Sequence, residues 1–296
     1  MPFKAILNSL IASLISCLFA VGFKYLGIYL IVLSYFSSLP IFISAFYFGS
    51  AGIFLTSICS IFIITSITSF YVGILFFITN ILPVTLIIFE KAKNKLSYLN
   101  FISKITLINS VFFIIFSFTY KDKIKNITQS ITDHLNQNLN SNIIIDQSIL
   151  DLAPSIMIFS WNIVLIVNLM LSRIILIKFF NKSTNFSDKL IDLKLQKWMI
   201  TLFIIFLIPA SLINNENGVL FRSLTLIYSI PVTIQGLGVM HVFFKNKKIS
   251  DFFIYTFYSV IFLVPIALPI ITAIGVLESV YNFRDLKFKK VNRNID

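Results

Sequence analysis

Long runs of apolar residues, interrupted by short polar clusters, dominate the pattern of this chain. A helix needs roughly 20 mostly apolar residues to cross a hydrocarbon core about 30 Å thick. Runs such as 53–70 and 199–213 lack the alternation of apolar and polar residues, over about 10 positions, that marks the strands of a membrane β-barrel. The pattern therefore predicts an all-α, polytopic bundle of transmembrane helices that forms one integral membrane domain, 1–296.

About eight spans and one broken segment follow from the positions of these runs. The Gly- and Ser-containing stretch 49–52 and the polar cluster 214–218 mark turns. The last segment, 252–282, is too short for two perpendicular crossings at about 1.5 Å per residue. Pro265 and Pro269 interrupt it, so it predicts a hairpin of two short helices. The predicted spans are 5–23, 25–48, 51–69, 71–89, 101–120, 153–177, 198–213 and 220–244.

Lysine and arginine residues set the predicted orientation, because cytoplasmic loops keep an excess of positive charge. Segment 90–104 carries four lysines and one glutamate, and segment 178–197 carries five lysines and two aspartates. The loop 121–152 instead carries three lysines and four aspartates. We therefore expect 121–152 to face outward, and we expect both termini, with the basic tail 284–296, to lie in the cytoplasm of a bacterium at its inner membrane.

The composition agrees with a chain that lies in a lipid bilayer, and it limits the kinds of partner that the chain is expected to bind. Apolar residues make up 57% and charged residues 12% of the sequence, and the mean hydropathy is +0.92. In soluble domains, roughly a quarter of the residues are charged. The net charge of +12 follows from the inward loops, so the lipid bilayer is the expected partner and nucleic acid is not.

The outward loop 121–152 has a pattern of its own. Apolar residues recur there at spacings of three and four, with polar residues between them: Ile124, Ile127, Ile131, Leu135 and Leu139. This spacing predicts an amphipathic helix on the outer surface. The helix could cover a binding cavity or lie on the lipid headgroups.

Motifs for catalysis or for tight cofactor binding are missing. The sequence has no HExxH, no GxSxG, no Gly-rich phosphate loop and no paired intramembrane carboxylates. The two histidines, His134 and His241, fall on opposite predicted sides of the membrane, so they share no metal site. We expect neither an enzyme nor a cofactor or metal. His241 and Glu278 both map near the cytoplasmic face, where a pair between them could act as a gate.

Four neutral polar residues map near mid-depth and are the candidate substrate-binding residues: Asn80, Asn162, Asn168 and Gln235. Hydrocarbon offers such side chains no partner except protein or a trapped ligand. Gln235 is flanked by Pro231, Gly236 and Gly238, so a kinked helix is expected there. Hydrogen bonds that clamp neighbouring helices together are the alternative to a substrate pocket.

The first predicted span also has a stripe of small residues at spacings of three and four: Ala5, Ser9, Ala12, Ser13, Ser16 and Ala20. Small residues let another helix approach closely. That helix could belong to this chain or to a second protein.

Several stretches together resemble the YybS-like family of bacterial predicted membrane proteins, over nearly the whole chain. The resemblance is carried by 35–42 with Gly49 and Gly52, by 154–161 with Asn168 and Arg173, by 231–241, and by 275–284. It implies a domain of unknown function with a distant relationship to the substrate-binding S components of energy-coupling transporters. It implies nothing about the identity of a ligand.

Three classes of function are consistent with these features. A small-molecule-binding or transport-related subunit accounts for the mid-depth polar residues and the broken last hairpin. ATP would then act through separate membrane or ATPase subunits, because the chain has no nucleotide-binding loop. A membrane scaffold or assembly factor without transport activity is the alternative. An enzyme within the membrane is the third class, and the missing catalytic pairs argue against it.

Overall fold

The regular elements of the described chain are all helical, as the sequence predicted. The structure is a computed structural model that describes residues 3–93, 96–119, 130, 150–184, 186–213 and 216–284. No strand occurs in these ranges. The α-helices are α1 (Phe3–Val21), α2 (Phe23–Leu26), α3 (Ile31–Ser34), α4 (Leu39–Phe48), α5 (Ser50–Ile67), α6 (Phe70–Phe76), α7 (Leu82–Ala92), α8 (Tyr98–Thr119), α9 (Ala153–Phe180), α10 (Lys197–Leu212), α11 (Glu216–Asn246), α12 (Asp251–Leu263) and α13 (Leu268–Tyr281).

Seven helical stretches within the described ranges are long and apolar enough to cross a membrane. The predicted seventh span corresponds to α10, which has 16 residues and is therefore about 24 Å long. The amphipathic helix predicted in 121–152 lies outside the described residues, apart from residue 130 and residues 150–152. The tail from 285 onward lies outside them as well.

The chain forms two compact units. The first comprises Met1–Phe101 and Trp161–Ser187, and the second comprises Ile102–Ser160 and Asp188–Asp296. Each unit has its own buried residues and its own polar contacts.

The small-residue stripe of α1 packs inside the first unit. Ser9, Ser13 and Ser16 have no exposed surface, and α1 packs along α4 and α5. The hydroxyl groups of Ser9 and Ser44 lie 3.4 Å apart, and that of Ser44 lies 2.8 Å from the hydroxyl of Thr56. The buried face of this stripe therefore meets helices of this chain.

The second predicted span is broken near its middle. A 3₁₀ turn at Ile28–Leu30, helix α3 and helix α4 replace one continuous helix, and the chain turns at 35–38. Pro40 explains part of the break, because it has no N–H for the carbonyl of Phe36. The N–H of Leu39 donates to that carbonyl instead, at 3.0 Å, which tightens the turn.

The fourth predicted span contains a π-helical turn, Phe77–Ile81, between α6 and α7. The N–H of Leu82 donates to the carbonyl of Phe77, five residues back. Pro83 follows directly and has no N–H. The carbonyl of Thr79, four residues earlier, therefore lacks the hydrogen bond that residue 83 would donate in a regular α-helix. A π turn often marks a functional site, because it leaves backbone groups for other partners.

Glycines bring α11 and α13 into close contact in the second unit. A Cβ atom added to Gly236 would lie 2.0 Å from the carbonyl oxygen of Ile271, and one added to Gly275 would lie 2.1 Å from that of Val232. The two helix backbones therefore touch. Thr233 and Thr272 add a hydrogen bond of 2.7 Å between the same helices.

The C-terminal segment breaks at its prolines, as predicted. Helices α12 and α13 have 13 and 14 residues, and the 3₁₀ turn Pro265–Ala267 separates them. Each helix is about 20 Å long, which is less than the hydrocarbon thickness of about 30 Å.

We expect Gly236→Ala and Gly275→Ala each to destabilise the protein by about 1–3 kcal/mol, since the added methyl group meets backbone atoms that have no room to move. Thermal melting in mild detergent measures the change. Val280→Ala is the control, because Val280 lies on α13 with an exposed side chain. Melting of the glycine variants at the wild-type temperature would show that the helices are not in backbone contact.

Candidate functional site

A partly open cavity of about 180 Å³ lies within the first unit. It forms where the end of α1, the end of α3, the turn at 35–38, helices α5 and α6, the π turn and α9 come together. Its lining is apolar and aromatic with a few neutral polar groups: Ala20, Val21, Ser34, Ser37, Ile64, Val72, Leu75, Phe76, Thr79, Asn80 and Trp161. None of these described lining residues carries a charge.

One wall of the cavity depends on the carbonyl that Pro83 leaves without a helical donor. The indole Nε1–H of Trp161 donates to the carbonyl oxygen of Thr79 at 3.0 Å. This bond joins α9 to the π turn and fixes the aromatic ring at the cavity. Asn80 and Asn162 were predicted as binding residues from the sequence, whereas Trp161 was not. Two features of the sequence could have indicated this bond. Pro83, four residues after Thr79, cannot donate to the Thr79 carbonyl, and the indole N–H of Trp161 must find an acceptor when buried.

Asn80, a predicted binding residue, lines this cavity and is 4% exposed. Its Oδ1 accepts a hydrogen bond of 2.7 Å from Ser37, and its Nδ2 donates to the hydroxyl of Thr79 at 2.9 Å. A carboxamide has two N–H donors. Within the described residues, Asn80 thus uses one of these donors and keeps the second for a molecule in the cavity.

Asn168 supports the broken helix beside this site. Its side chain is 1% exposed, and its Nδ2 donates to the carbonyl of Tyr35 at 2.7 Å and to the hydroxyl of Ser38 at 2.8 Å. Ser16 of α1 donates to the carbonyl of Ser37 at 2.6 Å. Two other helices therefore satisfy the backbone of the turn 35–38, which carries Ser37 into the cavity.

Asn162 is fully buried beside Trp161 in α9, but it does not line the cavity. Of the predicted set, Asn80, Asn162 and Asn168 thus belong to the first unit, and Asn80 contributes to the cavity surface. Gln235 belongs to the second unit.

Gln235 connects three parts of the second unit and is 2% exposed. Its Oε1 accepts a hydrogen bond of 2.6 Å from the N–H of Leu195. Its Nε2 donates to the carbonyl of Gly275 at 2.7 Å and to the hydroxyl of Ser279 at 2.6 Å. Both N–H donors of the carboxamide are therefore used within the protein, which is the geometry of an interhelical clamp.

The two residues predicted as a gate have different partners in the second unit. His241 lies 2.9 Å from the hydroxyl of Tyr258, measured from Nδ1, and the two rings are stacked. Glu278 accepts a hydrogen bond of 2.7 Å from Nε of Arg284, and both side chains are buried. No direct pair between His241 and Glu278 is seen among the described residues.

Arg284 was predicted as part of the basic tail and of the stretch 275–284, with no side-chain partner. It donates to the carbonyls of Ile191 and Leu193 at 3.0 and 2.9 Å, besides its pair with Glu278. A buried carboxylate in an apolar helix requires a nearby cation. Glu278 in an apolar helix therefore indicated from the sequence that a cation lies nearby. Arg284, six residues later, is the first basic residue after it.

The charged groups near the end of α11 are exposed. Lys245 pairs with Asp251, the first residue of α12. The hydrogen bond from Lys245, and then its charge, hold the pKa of Asp251 below the usual value.

Within the described ranges, no group of three or more His, Cys, Asp or Glu side chains is arranged to hold a metal ion.

The helices and the neutral cavity define an integral membrane protein of the polytopic α-helical class. Residues 125–279, just over half of the chain, match the family described as predicted membrane protein (DUF2232), and the chain belongs to that family. No curated protein and no solved structure matches the chain.

We expect Arg284→Lys to destabilise the protein nearly as much as loss of a buried ion pair, about 3–5 kcal/mol, because a single ammonium cannot reproduce three donors in a planar fork. Arg222→Lys is the matched control, since Arg222 donates to one carbonyl, that of Ile213. Thermal melting in detergent measures both. Equal, small losses for the two variants would contradict the assigned role of Arg284.

Proposed function

We propose that this protein is a membrane subunit that binds a small uncharged molecule in the cavity beside Asn80 and Trp161. The observation that carries the proposal is a mainly apolar cavity with a few neutral polar groups, built on a broken helix and a π turn. Membrane transporters typically form their binding sites from such discontinuous helices, whose freed backbone groups face the substrate. Binding without catalysis agrees with the missing catalytic motifs, so we propose no enzymatic activity.

The size and the lining of the cavity define the class of ligand. A cavity of about 150 Å³ is large enough for benzene, so the 180 Å³ found here suits a ligand of roughly six to ten non-hydrogen atoms. A charged ligand would lose its hydration without gaining a counter-charge, which is unfavourable. Phe76 and Trp161 offer flat apolar contacts, and Asn80 and Ser34 offer hydrogen bonds.

The predicted topology assigns the cavity to the outward half of the membrane. Val21 and Val72 lie at the ends of spans that the loop charges predict to face outward. With both termini in the cytoplasm of a bacterium, the cavity would receive its ligand from outside the inner membrane. The resemblance to the YybS-like family, which implies a distant relationship to S components, supports this role, with energy supplied by separate ATPase subunits.

A scaffold role has less support from the contacts of the chain. The small-residue stripe, which could have recruited a second protein, has its buried serines packed against α4 and α5. We therefore favour ligand binding over assembly.

Binding can be measured through Trp161, because the chain has two tryptophans and Trp198→Phe leaves Trp161 alone. We expect benzyl alcohol to change the Trp161 fluorescence saturably in nanodiscs, and benzoate and benzylammonium, of similar size but charged, to have no such effect. Ala20→Leu, which fills the cavity, should weaken the benzyl alcohol response about tenfold or more, corresponding to about 1.4 kcal/mol.

Gln235→Leu in the same background is the control. It should lower the melting temperature through loss of the clamp in the second unit and leave the benzyl alcohol response unchanged. A response that rises in proportion to the alcohol dissolved in the lipid, and that is equal in the Ala20→Leu protein, would contradict the proposed binding site.

A further inference from the structure

Two lysines meet at the C-terminal end of α4 in the first unit. The N–H of Gly49 donates to the carbonyl of Ala45 and is the last backbone donor to this helix. The next two carbonyls accept side-chain hydrogen bonds instead. Lys91, at the end of α7, donates to the carbonyl of Phe46 at 2.7 Å, and Lys182, which follows α9, donates to that of Tyr47.

The lysine pair carries more positive charge than the helix end can balance. The C-terminal end of a helix is equivalent to about half a negative charge, whereas two ammonium groups bring two positive charges. The ammonium groups bind the carbonyls of adjacent residues, and their charges repel each other. Neither of them forms an ion pair within the described residues. Glu90, next to Lys91, is buried, with 4% of its surface exposed.

Free donors and aromatic rings complete the site. An ammonium group has three N–H donors, so each lysine keeps two after it has bonded its carbonyl. Lys182 also lies over the ring of Tyr47, 4.4 Å from its centroid, and the rings of Tyr47 and Phe180 are 5.5 Å apart. Tyr47 and Phe180 are 37% and 49% exposed. A cationic pair thus lies beside an exposed aromatic surface.

We propose that Lys91 and Lys182 form a phosphate-binding site at the end of α4, occupied by the phosphodiester headgroup of an anionic lipid. Phosphate oxygens accept the free N–H donors and supply the missing negative charge. The glycerol and the acyl chains would lie against Tyr47 and Phe180. The three segments that meet here are predicted to face the cytoplasm, where the leaflet surface is negative.

Lipid retention measured by native mass spectrometry tests the proposal on the full chain. We expect the wild-type protein, released from nanodiscs of mixed phosphatidylglycerol and phosphatidylcholine, to retain phosphatidylglycerol selectively. Lys91→Gln combined with Lys182→Gln should weaken this retention about tenfold or more, since each lost charged hydrogen bond is worth about a factor of ten. Lys93→Gln combined with Lys247→Gln removes the same charge from exposed positions and should retain the lipid.

Inorganic phosphate distinguishes the two possible sources of the phosphate group, a lipid headgroup and soluble phosphate. If phosphate raises the melting temperature of the lipid-free wild-type protein while no lipid is retained selectively, the site stands and soluble phosphate is its occupant. Lys91→Arg combined with Lys182→Arg keeps both charges and should keep binding, which covers the case in which the Gln variants fail to fold. Equal retention of both lipids by the wild-type protein, with no effect of phosphate, would overturn the proposal and leave the lysines as helix caps.

Discussion

A backbone carbonyl without a donor is the constraint on which the first unit depends. In hydrocarbon no water can satisfy it, so another part of the protein must. Pro83 removes the donor for the carbonyl of Thr79, and the indole of Trp161 replaces it. At the turn 35–38, Asn168 supplies a donor in the same way. Trp161 and Asn168, which satisfy these carbonyls, also bring α9 against the broken helices beside the partly open cavity.

The same constraint shapes the second unit, where the segment 188–196 has little regular structure of its own. Its backbone groups bond to Gln235 and to Arg284, and Arg284 is held in turn by Glu278. Removal of one partner would leave a buried charge or carbonyl unsatisfied, which costs more than the bond itself contributes. The close contact of α11 with α13 at Gly236 allows these side chains to reach across.

Much of the fold could be predicted because length and apolarity decide whether a helix crosses a membrane. The prolines also predicted the break at 265–269 correctly. The break at 35–38 and the π turn were not predicted, since they depend on which distant side chain satisfies the freed carbonyl. Polarity in an apolar span identified Asn80, but the same signal could not tell the cavity residue from the clamp at Gln235. That difference lies in the number of protein partners each carboxamide finds after folding.

The bond between Trp161 and the carbonyl of Thr79 is the central claim, and the indole proton of Trp161 reports on it directly. In the Trp198→Phe protein, hydrogen exchange of that proton can be followed by NMR with ¹⁵N-labelled tryptophan. We predict slow exchange, and much faster exchange in Pro83→Ala, where residue 83 can donate its own N–H to Thr79 and release the indole. Fast exchange in the parent protein, or an unchanged rate after Pro83→Ala, would contradict the account.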